Sequence, residues 1–135
     1  MSLRIPGVLA ALGGFAWVLK TAMMWANGGT EGSSGVVGLL FEIGIVCIAM
    51  AGSVRVWFLV PSTKARWRIL AVLVFLVGLV LMIDLPILIG WQVLGHVWIA
   101  EELGIILTAL VALGAGVHWL FRGFGRTNAA PNAVR

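Results

Sequence analysis

Four apolar runs, each long enough to cross a bilayer and joined only by short polar connections, take up almost all of this 135-residue chain. A helix needs about 20 apolar residues to span the hydrocarbon core, because each residue advances it by about 1.5 Å. The runs are Ile5–Ala26, Val36–Val60, Ile69–Trp91 and Val97–Phe121. Backbone groups inside hydrocarbon must satisfy one another, so each run is expected to be a helix. The expected fold is therefore an all-α integral membrane protein, a single four-helix transmembrane bundle over residues 1–126, with 127–135 as a polar, mobile tail. Composition agrees, since charged residues make up 10% of the chain where a soluble domain carries about a quarter. A soluble catalytic domain has no room in this plan.

The connections carry the expected punctuation. Asn27–Gly35 gathers glycine, serine and threonine, with Ser33 or Ser34 placed to cap the second helix. Pro61 closes the second run and opens the basic turn PSTKARWR. Asp84 and Pro86 are expected to interrupt the third run near its outer end, because a proline frees the carbonyl four residues back, here Met82. Gln92–His96 is read as a tight connection into the fourth. Arg4 ahead of an apolar run resembles a signal-peptide start, but the run is long and no small-x-small cleavage site precedes Ala26, so the first span is expected to be retained.

Basic residues fall in the connection between spans two and three (Lys64, Arg66, Arg68), at the start (Arg4) and after span four (Arg122, Arg126, Arg135). Positive charges in short loops stay on the cytoplasmic side. Both termini are therefore expected to be cytoplasmic, in a bacterial-type inner membrane. Tryptophan favours the interfaces, and Trp25, Trp91 and Trp98 fall at expected outer ends, Trp57, Trp67 and Trp119 at inner ends. Only Trp17 lies within a span. The net charge of +4 is thus a fringe facing lipid headgroups, and no nucleic-acid partner is expected.

The acids are more informative, since all five lie in the outer half. Counting along each helix puts Lys20 about 9 Å in, Glu42 about 9 Å, Asp84 about 10 Å and Glu101 about 6 Å. One ammonium and three carboxylates at one level on four helices suggest a buried charge cluster, a possible ion or proton site. Helical phase supports three of them, because Glu42 lines up with Gly35, Gly38, Ala49 and Ser53, and Glu101 with Gly104, Thr108, Ala112 and Gly116. Lys20 shares a face with Gly13 and Ala16; Asp84 aligns with large apolar residues and fits least. Glu102 points about 100° away from Glu101. Such a cluster would carry excess negative charge, relieved by protons, by a bound cation, or by keeping only a Lys–Glu clasp that sets helix register. Lys20 and Asp84 late in one helix, Glu42 and Glu101 early in the next, also hint at a two-helix repeat.

Other chemistry is weakly signalled. Cys47, the single cysteine, rules out an intramolecular disulfide and a Cys-rich metal site. His96 is a weak metal candidate with Glu101 or Asp84; His118 lies about 33 Å from it along one helix, too far for shared haem ligation. The methionines scatter in depth and read as packing. No HExxH or GxSxG motif occurs and Cys47 has no base beside it, so neither an enzyme nor a cofactor is expected. WVLK late in the first span and LLFE early in the second resemble the DoxX-like group of four-helix membrane proteins. The resemblance covers those few residues, lacks that group's longer first outer loop, and implies fold alone. The expected role is an accessory or assembly subunit packing against other membrane subunits or itself; the alternative is an oligomeric proton- or cation-coupled transporter or channel using the outer carboxylates.

Overall fold

The computed structural model of the protein describes residues 3–30, 35–61 and 64–125, with side chains through Arg122. It is all-helical: α1 (Arg4–Ala26), α2 (Val36–Leu59), α3 (Ala65–Leu94) and α4 (Trp98–Gly125). All four are long and apolar enough to cross a membrane. Packing runs in a ring, α1 against α2 and α4, and α3 against α4 and, least, α2.

Both ends of α3 and the end of α4 differ from expectation, α4 running on to Gly125, past the expected Phe121. α3 begins at Ala65, inside the basic turn, so Arg66, Trp67 and Arg68 are helical. It also runs through Asp84 and Pro86 to Leu94 without interruption, because the flanking hydrogen bonds hold the helix across the one that proline removes. The connection to α4 is therefore shorter than Gln92–His96; Gly95, at φ 76°, ends the helix in a conformation that glycine alone adopts cheaply, its N–H donating to Trp91 O. The capping serines Ser33 and Ser34, and the tail 127–135, lie outside the described residues.

α1 is the centre of the packing. Along its seam with α4, Gly7 meets Gly116, Gly14 meets the carbonyl of Ala109, Thr21 meets Glu102, and Trp25 meets Trp98 edge-on at 6.3 Å. These are two series at seven-residue spacing, or close to it, running antiparallel. That spacing keeps a seam facing one neighbour, and glycine lets the backbones close up: a Cβ on Gly14 would lie 2.7 Å from Ala109 O.

On its α2 side, Trp17 is fully buried, stacks on Phe41 at 5.7 Å and 8°, and donates Nε1–H to Phe41 O at 2.9 Å. The ring fills the space where Gly44 would carry a Cβ. The one tryptophan read as interior is thus the largest fully buried side chain of the core.

Burial falls as hydropathy rises. Mean hydropathy climbs from 1.5 (α1) through 2.0 (α4) and 2.2 (α2) to 2.9 (α3), while the buried share drops from 44% through 33% and 28% to 11%. In water the order would be reversed; with hydrocarbon as solvent, the most apolar helix has least to gain by hiding.

Candidate functional site

The charged residue inside the bundle is Lys20, and its partner is Glu102. Both are about 95% buried or more, at 3% and 5% exposure. The Lys20 ammonium donates to Glu102 Oε1 and to Met24 Sδ at 3.1 Å, and lies 6.0 Å from the centre of the Phe41 ring. Thr21 Oγ1 reaches the other oxygen, Oε2, at 3.5 Å, long for a hydroxyl donor. The pair clamps α1 to α4 on the heptad seam, where Lys20 leans from one face of α1 over the ring that also stacks on Trp17.

The expected four-residue cluster does not assemble. Glu42, Asp84 and Glu101 are exposed on the bundle's outer surface, and none makes an ion pair or side-chain hydrogen bond among the described residues. The expected level is nevertheless kept. Lys20 beside Phe41 puts neighbouring Glu42 at the height of the pair, and the carbonyl of Ile83, pressed against Gly104, puts Asp84 within a turn of it. What fails is the direction in which each side chain points.

The packing stripes divide the same way. On α4, Gly104, Thr108, Ala112 and Gly116 are all buried. A series at every fourth residue drifts by about 40° per step, so Gly104 faces α3 at Ile83 while Gly116 faces α1 at Ala11. On α2 the expected stripe is displaced: Gly35 and Gly38 have open space where a Cβ would sit, and Ala49 and Ser53 are half-buried. The buried face of α2 is instead Val37, Gly44, Ile48, Ala51 and Gly52. Glu42 lies opposite, among exposed Leu39, Ile43 and Val46.

His96 packs its ring on Trp91 at 4.9 Å, and among the described residues no three His, Cys, Asp or Glu side chains gather as a metal site. At the other, basic end, arginines sit on tryptophan rings, Arg55 over Trp119 at 5.9 Å and Arg68 over Trp57 at 5.7 Å. The sequence signal that selects Glu102 over Glu101 is the heptad series Glu102, Ala109, Gly116 against Gly7, Gly14, Thr21.

Compared with protein-family models, with curated proteins and with solved structures, the chain matches none.

Proposed function

We propose that this protein is a small, non-enzymatic integral membrane protein serving as an accessory or assembly subunit of a larger membrane partner, with both termini cytoplasmic in a bacterial-type inner membrane. One observation carries the reading. Lys20, the only lysine or arginine in the acidic half of the bundle, is already taken by Glu102, so exposed Glu42 and Asp84 have no lysine or arginine of their own chain at that depth. A charge facing acyl chains costs several kcal/mol. A lysine, arginine or histidine on a neighbouring subunit's helix at that level removes the cost, as does the polar lining of an interface. α3, with only Leu79, Ile83 and Gly90 buried, offers the largest uncovered surface, and Asp84 sits on it.

The carrier alternative drew on four charges converging inside one bundle, and their separation leaves it without that geometric support in a single chain. The test is native mass spectrometry of the tagged protein extracted in mild detergent at native expression level. A stoichiometric second protein, lost from a Glu42→Gln, Asp84→Asn variant that still folds, is the expected result. A clean monomer or homo-oligomer overturns the subunit reading and makes proton and cation flux into liposomes the next measurement.

A further inference from the structure

A cavity of about 130 Å³ lies between all four helices and runs from Ile48, Leu79, Met82 and Thr108 in the middle of the bundle to Trp119 near its basic end. Its hydroxyl is occupied, since Thr108 Oγ1 donates to Gly104 O at 2.7 Å. An apolar cavity of about 150 Å³ stays dry in water and admits benzene, so a cavity of this size and lining has the right chemistry for a short stretch of acyl chain.

The end of the cavity marked by Trp119 is cationic. Arg55 lies one turn beyond Ala51 and Gly52 on α2, half-buried, with its guanidinium on the Trp119 ring. It has no carboxylate and no hydrogen-bond acceptor among the described residues, although a guanidinium carries five donors. Arg122 follows one turn past Trp119 on α4. The sequence has no acidic side chain between Glu42 and Asp84 and none after Glu102, so no Asp or Glu at this end answers either charge.

We infer that this end of the bundle binds an anionic glycerophospholipid, its phosphate on Arg55 and part of one acyl chain in the cavity. Arginine takes phosphate oxygens through paired N–H donors, and basic pockets between helices are sites for acidic headgroups. A zwitterionic lipid fits less well, because its ammonium would meet Arg55 and Arg122 with no acid to receive it. The site is independent of the subunit reading and of the Lys20–Glu102 pair.

The test is a native mass spectrometry titration of delipidated protein with dioleoyl phosphatidylglycerol, dioleoyl phosphatidylcholine and inorganic phosphate. One phosphatidylglycerol is expected to be retained about tenfold more tightly than phosphatidylcholine, with inorganic phosphate displacing neither. Arg55→Gln removes that preference, while Arg66→Gln, whose guanidinium lies over Trp67 instead, keeps it. Ala115→Leu, which fills the cavity, weakens both lipids alike. Equal retention of the two lipids by the parent protein overturns the proposal without recourse to any variant. So does equal behaviour of the two arginine variants, displacement by phosphate alone, or full lipid retention by Ala115→Leu.

Discussion

Glu101 and Glu102 are adjacent, chemically identical, and separated by the structure into an exposed side chain and a buried ion-pair partner. Replacing each with glutamine is therefore a controlled comparison. In Glu102→Gln the ammonium of Lys20 stays at 3% exposure with Met24 Sδ at 3.1 Å and the Phe41 face at 6.0 Å. A thioether is a weak acceptor, and a desolvated cation–π contact is worth about 2 kcal/mol. Removing one partner of a buried pair costs about 3–5 kcal/mol. Because Met24 and Phe41 remain, the lower end applies, and a loss of about 3 kcal/mol is expected. Glu101→Gln should change stability by no more than about 0.5 kcal/mol. The assay is reversible unfolding in mild detergent followed by circular dichroism. A Lys20→Met, Glu102→Met double replacement should recover to within about 1 kcal/mol of the parent, since an apolar pair of similar volume replaces a buried ion pair at little net loss. Equal effects at 101 and 102, or a double variant no better than Glu102→Gln, would refute the clasp.

Three further outcomes are expected from the same unfolding assay. Gly44→Ala drives a methyl into the Trp17 ring, which its stacking and its bond to Phe41 O hold in place, and should cost about 1–3 kcal/mol; Gly38→Ala meets open space and should stabilise by up to about 1 kcal/mol. Gly104→Ala presses on the backbone carbonyl of Ile83 and must part α3 from α4, at a cost of about 3 kcal/mol or less, while Gly114→Ala, with nothing near it, should be neutral or stabilising. Trp17→Phe loses the bond to Phe41 O and part of the ring's packing, at about 1–3 kcal/mol, and an unchanged stability would refute both contributions.

How far the sequence could be read depends on which physical quantity was asked for. The four spans follow from run length alone, because hydrocarbon thickness sets a minimum that soluble helices seldom meet with so few charges. Level along the bundle also follows from counting, and Lys20, Glu42 and Asp84 do lie near one height. Direction around each helix does not follow from counting. Grouping charges with small residues sets it only on the premise that every charge in a span turns inward. That premise fails for Glu42, which is exposed on a face of α2 where a Cβ on Gly38 would also meet nothing among the described residues. On α4 the four-residue series pointed to Glu101, but such a series winds round the helix, and only the seven-residue series keeps one neighbour in view. Applied to both helices, Gly7, Gly14, Thr21 and Glu102, Ala109, Gly116 select each other and leave Glu101 outside. α3 is longer than its apolar run Ile69–Trp91, because the hydrocarbon core limits only the apolar part of a helix and Arg66, Trp67 and Arg68 of the basic turn lie along the helix start.

The outward placement of Glu42 and Asp84 bears on the proposed subunit reading. Small residues and charges turn inward in a membrane bundle because both need protein neighbours, the first for close approach and the second for compensation. When a helix displays a glycine and a glutamate on the same outward face, as α2 does with Gly38 and Glu42, it shows features of a packing face in a place where the described residues supply no helix. The same holds in weaker form for Asp84 on α3, the helix of highest mean hydropathy and least burial. A lipid-facing surface under no other demand would be filled with leucine and valine, as most of α3 is. Two exposed carboxylates at one depth on neighbouring helices, α2 and α3, therefore fit the proposed protein partner, while the clasp holds α1 to α4.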